Sequence, residues 1–140
     1  MEKHTLTFRI TIVDAPAGVV FAAQRGRDGH VPPVQRSGED WIFEVPLVVS
    51  EDGRITGEFS QGPASGRFVY IGSGTHAGDG GSSWTRRAKI HLSSIELELL
   101  QAAIQSPDQI LATSIAGRAK DGGPCCASVP LLQPWRLELR

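Results

Sequence analysis

The clearest pattern along the chain is a strict alternation of apolar and polar residues in short runs. In residues 4–13 the apolar set is Leu6, Phe8, Ile10 and Ile12, and threonine and arginine occupy the positions between them. A period of two sends successive side chains to opposite faces of a strand, so this run predicts a half-buried strand. Residues 41–49 repeat the pattern but contain Pro46, which has no N–H for a sheet ladder. The second run therefore predicts a strand that lies at an edge or carries a bulge.

Further apolar runs bounded by Gly, Pro and Asp predict additional strands. They cover residues 19–24, 54–59, 67–71, 84–92, 110–117, 127–132 and 135–139, and a long polar connection is predicted over residues 25–40. One segment follows a helical period instead. Ser93 and Glu96 have the spacing of a capping box, an apolar stripe follows, and Ser106-Pro107 ends it. The sequence thus predicts a single domain over residues 1–140, an antiparallel β-sandwich or barrel of seven to nine strands with one α-helix at about 94–105.

Composition and charge narrow the class of protein. The chain has 16 glycines and 9 prolines, which disfavour a helical bundle, while 40% hydrophobic residues disfavour disorder. Its 14 basic and 15 acidic residues give a net charge of −1, without the positive excess typical of nucleic-acid binding. No run approaches the roughly 20 apolar residues of a membrane span. Without a signal core or a disulfide framework, a soluble cytoplasmic protein is expected.

Residues 72–83 form a glycine-rich segment, which we interpret as a loop with unusual backbone freedom. Exposed N–H groups in such a loop can face an anion, and Arg86 and Arg87 follow closely. Phosphate-binding loops, however, usually lead into a helix, and here a strand is predicted instead. A long hairpin loop without a ligand is the structural alternative.

Aromatic, hydroxyl and guanidinium groups flank this loop. If the two flanking strands pair, we expect Tyr70, Trp84 and Arg86 to lie close together, as a wall for a small ligand. Arg86 shares its strand face with the inward positions, whereas Arg87 shares the other face with Lys89. Arg86 could equally pair with an aspartate to fix the loop. The predicted ligand-binding residues are Arg67, Tyr70, Thr75, Trp84, Arg86 and Arg87.

Catalytic candidates are weaker. His76 lies in the glycine-rich loop and could act as a general base, and Cys125 could act as a nucleophile near Asp121. The four histidines show no ligand spacing typical of a transition metal, so neither a metal nor a cofactor is predicted.

Three functions follow as hypotheses. The first is a β-rich domain that binds a small, anionic ligand near residues 72–83. The second is a protein-interaction or structural module, including a homodimer, because Ile42 and Val48 make the second face of residues 41–49 partly apolar. The third is a hydrolase or isomerase that uses His76 or Cys125.

The sequence also resembles a family. The runs that carry the resemblance are Phe8-Arg9-Ile10-Thr11, Gly18-Val19-Val20-Phe21-Ala22, Gln61-Gly62-Pro63, Arg67-Phe68-Val69-Tyr70-Ile71, Trp84-Thr85-Arg86-Arg87-Ala88-Lys89-Ile90 and Asp121-Gly122-Gly123-Pro124. Together they resemble a family of small bacterial proteins known as a domain of unknown function, over most of the chain. The resemblance implies a free-standing bacterial domain and assigns no reaction or site residue.

Overall fold

The structure, a computed structural model, describes residues 2–75, 86–117 and 127–140. The elements in chain order are β1 (Lys3–Val13), β2 (Val19–Arg25), β3 (Gly29–Val31), β4 (Gln35–Ser37), β5 (Asp40–Ser50), β6 (Ile55–Thr56), β7 (Phe68–Thr75), β8 (Arg86–His91), α1 (Leu97–Ile104), β9 (Gln109–Ala116), β10 (Ala127–Ser128) and β11 (Leu131–Leu139). The prediction of a mainly β fold with one helix is confirmed, with slightly more strands than the seven to nine expected.

The strands form two sheets that share one core. The six-stranded sheet has the order β11-β9-β1-β5-β4, with β6 paired to β5, and the five-stranded sheet has the order β10-β8-β7-β2-β3. The core receives Phe8, Phe43 and Leu47 from the first sheet, and Val69 and Ile90 from the second. This two-sheet arrangement corresponds to the sandwich rather than the barrel.

Aromatic side chains and the helix help to close the core. Phe21 of β2 meets Trp41 of β5 edge to face, with ring centroids 5.5 Å apart, and so ties the two sheets together. Leu100 and Ala103 of α1 are buried in the same core, which confirms the apolar stripe of the helix. No described helix is long and apolar enough to cross a membrane.

Most strand pairs are antiparallel, as the predicted fold class requires, and two described pairs are exceptions. β1 pairs with β9 in parallel, and β10 pairs with β8 in parallel. Parallel neighbours need a crossover rather than a tight turn. The chain between β1 and β9 supplies it, since it contains the strands β2 to β8 and the helix.

Several predicted boundaries were also wrong. The polar connection over residues 25–40 contains β3 and β4, and the glycine-rich loop starts later than predicted because Gly72 and Gly74 belong to β7. Ser93 does not cap the helix; the N-cap is Glu96, which makes no side-chain capping bond. The break predicted at residues 133–134 is instead a register shift within β11.

The prediction of a strand edge at Pro46 is correct for one of the two sides of β5. Pro46 pairs with Thr7 of β1 on one side of β5. On the other side, the described pairing covers residues 40–42 with β4 and residues 48–49 with β6. Pro46 thus lies in the gap between β4 and β6, where no ladder requires its missing N–H.

Candidate functional site

The register of β7 and β8 divides their side chains between two faces. Val69 pairs with Ile90, and both are buried in the core. Tyr70 pairs with Lys89 and Gly72 with Arg87, so these residues occupy the opposite, outward face of the five-stranded sheet. The sequence analysis predicted that Arg87 and Lys89 share one face, and the register confirms it.

Aromatic rings hold the two cations of this face. The Arg87 guanidinium carbon lies 5.7 Å from the Tyr70 ring centroid, and the Lys89 Nζ lies 4.8 Å from that of Phe68. Phe68 and Tyr70 meet edge to face, with centroids 4.8 Å apart. A cation over an aromatic face is attracted by the negative charge of the ring face, so the rings position both cations while leaving their hydrogen-bonding atoms available.

We define the cationic face as the outward surface formed by His30, Tyr70, Arg87, Lys89 and His91. His30 joins it from β3 through Gln24 of β2, its pairing partner. His91 Nε2 lies 2.7 Å from Ser128 Oγ of β10. Within the described ranges, neither Arg87 nor Lys89 forms an ion pair with a carboxylate. The surface therefore combines positive charge and aromatic area, although the whole chain has a net charge of −1.

On this side of the sheet, a donor and an acceptor are buried without a hydrogen-bond partner among the described residues. One is Arg87 Nε, a donor, and the other is Gln24 Oε1, an acceptor. The Gln24 amide nitrogen lies 3.1 Å from the Gly26 carbonyl oxygen and 3.3 Å from that of Arg27, which fixes the orientation of the amide because only nitrogen can donate to both. A buried polar atom without a partner costs stability, so each such atom needs an explanation such as a ligand.

The pKa of His30 depends on the charge of the same surface. Burial is the main cause that lowers the pKa of His30 below its ordinary value of 6.5, and the positive charge of Arg87 lowers it further. A hydrogen bond that His30 donates to the Asp28 backbone and the negative charge of that aspartate act in the opposite direction, toward a higher pKa. Ala22 pairs with Gly72, and Gly72 pairs with Arg87. These two residues have little or no side chain to separate Arg87 from His30. The positive potential of Arg87 therefore extends across the sheet to His30.

The predicted ligand-binding residues do not form one cluster. Arg86 pairs with Ser73, one position out of step with Tyr70, so its register position belongs to the opposite face of the sheet. The expected grouping of Tyr70, Trp84 and Arg86 stays a prediction. Thr75 ends β7 opposite Val19. Trp84, His76, Asp121 and Cys125 lie outside the described residues.

Arg67 belongs to another region and is already engaged. Its Nε donates to Ser60 Oγ at 2.7 Å, one terminal nitrogen donates to the Ser60 carbonyl at 2.8 Å, and the other donates to the Gly62 carbonyl. Gly62 has a φ of +90°, and an added Cβ there would collide with the Phe68 ring. Arg67 thus fixes the turn before β7.

A cleft of about 290 Å³ lies beside Arg67, at the opposite end of β7 from the glycine-rich segment. Its lining includes Arg54, Ile55, Leu92, Ile95 and Leu100. We do not assign the anion site to this cleft, because each nitrogen of the Arg67 guanidinium already donates to the turn and Arg54 is exposed. The partnerless buried atoms lie instead on the outward face of the five-stranded sheet.

Sequence reasoning missed Gln24 and His30. His30 was assigned to a loop, because Gly and Pro residues hide the three-residue strand β3. Gln24 ends a predicted strand, and nothing in its neighbours signals that it is buried. The spacing of Arg87 and Lys89 was the only signal of this face available in the sequence.

The hypothesis of a protein-interaction module relies on the outward surface of β5, which is only partly exposed. Ile42 and Val48 lie on the outward side of β5 and are half-buried. Ile42 pairs with Gln35 of β4, and Val48 pairs with Thr56 of β6. These short strands cover much of the apolar edge, so no large apolar patch is present at these two residues.

Comparison with known proteins gives one match. Residues 6–138 match a model of a family of unknown function (DUF5990). No curated protein and no solved structure matches the chain.

Proposed function

The chain belongs to this family of unknown function, and we propose that it binds a small anionic ligand on the cationic face. The observation that carries the proposal is Arg87, whose buried Nε has no hydrogen-bond partner within the described ranges while its guanidinium lies over the Tyr70 ring. Arginine presents a planar set of donors that matches a carboxylate or a phosphate. An anionic group on Arg87 and Lys89 would supply the missing acceptor and the missing countercharge together.

Gln24 adds a second requirement for the ligand. The buried Gln24 Oε1 can only accept a hydrogen bond, and it has no donor. A ligand with a hydroxyl or amino group beside its anionic group would satisfy this oxygen. The proposed ligand class is therefore a small hydroxy or amino acid, or a phosphate ester that retains a hydroxyl group.

The remaining expectations stay predictions. A bacterial origin and a cytoplasmic location are part of the proposal and rest on the sequence alone. The homodimer has no specific observation in its favour. The hydrolase or isomerase alternative depends on His76, Asp121 and Cys125, which lie outside the described residues.

The proposal is tested by calorimetric titration with matched small molecules. L-malate and succinate differ by one hydroxyl group, and glycerol 3-phosphate and glycerol differ by the phosphate. We expect the anionic compounds to bind, glycerol not to bind, and malate to bind more tightly than succinate. Arg87→Gln should weaken binding of malate or glycerol 3-phosphate at least tenfold, or about 1.4 kcal/mol.

Arg36→Gln is the matched control. Arg36 also rests on an aromatic ring, with its guanidinium carbon 4.1 Å from the Trp41 centroid, but it belongs to β4 of the other sheet. This variant should bind as the original chain does. Equal affinity in Arg87→Gln, or an equal loss in Arg36→Gln, would contradict the proposal.

A further inference from the structure

A second group of side chains with ligand chemistry lies at the far end of the β1–β5 pair. Lys3 pairs with Ser50 and His4 with Val49, and Glu51 directly follows β5. Glu2 and His4 are two residues apart and so share one side of the extended chain. The antiparallel register brings Glu51 beside them, and this end of the sheet carries an imidazole and two carboxylates.

The distances leave a gap at the centre of this group. His4 Nε2 lies 3.8 Å from Glu2 Oε2 and 3.9 Å from Glu51 Oε1, and the ligand atoms of the three residues all lie within 4.8 Å of one another. Both separations exceed the range of a hydrogen bond. His4 Nε2 is nevertheless buried and, in the part of the chain that the structure describes, has no hydrogen-bond partner. A nitrogen atom is thus shielded from water and faces two oxygen atoms without bonding to either.

We propose that Glu2, His4 and Glu51 bind a divalent cation of the zinc class. Imidazole nitrogen and carboxylate oxygen are both zinc ligands, and two carboxylates with a neutral imidazole balance the charge of the ion. Ligands at about 2.0–2.2 Å around a tetrahedral ion lie about 3.4 Å apart, slightly closer than the separations here. Three protein ligands leave a fourth position, which water occupies.

Closing the site requires little structural change. The Glu2 and Glu51 side chains are 79% and 57% exposed, so both can rotate toward the ion without displacing packed groups. The strands hold the backbone through the β1–β5 register, and Gln101 of α1 donates to the Glu51 carbonyl at 3.4 Å. The ligands come from two strands that are distant in sequence, which is why their spacing in the sequence shows no metal motif.

The test uses the full chain with any affinity tag removed, because a histidine tag would itself bind zinc. Zn²⁺ is titrated by calorimetry, and Co²⁺ is titrated by visible absorbance as a spectroscopic substitute. We expect one equivalent of metal to bind, with an intense absorbance band typical of a four-coordinate cobalt site. His4→Ala and Glu51→Gln should each weaken binding at least tenfold.

Glu98→Gln is the matched control, because Glu98 is an exposed carboxylate of α1 that is not among the three proposed ligands. It should bind metal as the original chain does. Thermal unfolding of each variant shows whether it is folded. We expect the glutamate variant to fold, because the Glu51 side chain is 57% exposed. Absence of one-equivalent binding, or the same affinity in folded His4→Ala, would overturn the proposal. The proposal is independent of the cationic face, since none of its residues belongs to that surface.

Discussion

The arginines on the outward faces of the two sheets differ in their partners: those of one sheet pair with carboxylates, and that of the other lies over an aromatic ring. On the six-stranded sheet, Arg9 donates through Nε and a terminal nitrogen to Glu44 Oε2, at 3.0 and 2.8 Å, directly across the β1–β5 pair. Arg136 lies 3.1 Å from Glu138 on β11. On the five-stranded sheet, Arg87 and Lys89 rest on aromatic rings and have no carboxylate partner among the described residues. Cations paired in this way stabilise strands, whereas cations supported only by rings remain available for an external anion.

The largest expected effect comes from making the cationic face resemble the other sheet. Lys89→Glu places a carboxylate on the same strand face as Arg87, two residues away, where it can pair with the guanidinium. We expect the affinity for malate or glycerol 3-phosphate to fall at least tenfold, about 1.4 kcal/mol, because the variant supplies its own anion. Calorimetric titration measures this. If the variant kept its affinity, the unpaired charge of Arg87 would not be required for binding of the anion.

Removing the paired arginine should affect stability rather than binding. Arg9→Gln breaks a half-buried ion pair and leaves Glu44 without its donor, so the free energy of unfolding should fall by about 1 kcal/mol. Arg87→Gln should lower it by less, because no carboxylate loses a partner. Urea denaturation of both variants makes the comparison, and an equal loss would remove the distinction between the two faces.

The smallest expected effect is a pH dependence. The pKa of His30 is lowered in the folded chain, mainly by burial and further by Arg87, so the unfolded chain binds this proton at a higher pH. Stability is therefore full above pH 6.5 and falls as the pH decreases below that value. His30→Gln should reduce this loss between neutral pH and about pH 5, as measured by urea denaturation.

The same histidine reports on ligand binding. Arg87→Gln should raise the pKa of His30 toward its ordinary value, and a bound anion should also raise it. NMR titration of the imidazole signals measures both shifts. An unchanged His30 pKa in both experiments would show that the two residues do not share one surface.

The fold was largely predictable because it depends on alternation, which is local. The apolar set from Leu6 to Ile12 identified the central strand and its buried face. The parallel pairing of β1 with β9 was not predictable, since nothing in either strand specifies the direction of its neighbour. The short strands β3 and β4 were missed because three residues are too few to show a period.

The cationic face was predictable only in part, since two of its members, Arg87 and Lys89, are neighbours on one strand. The register of β7 with β8 was not predictable, and it places Arg86 opposite Ser73 rather than opposite Tyr70. The isolation of Gln24 Oε1 and Arg87 Nε depends on tertiary burial, which the sequence does not encode locally.

The parallel pairing of β1 with β9 has a consequence for synthesis of the chain. Phe8 pairs with Leu111, so β1 acquires one of its two neighbours only after β2 to β8 and the helix have been made. Until then β1 can pair with β5, but its other edge stays open and its backbone N–H and C=O groups are unpaired. We expect the six-stranded sheet to complete only after β9 and β11 have left the ribosome, with a folding rate limited by closure of this long loop.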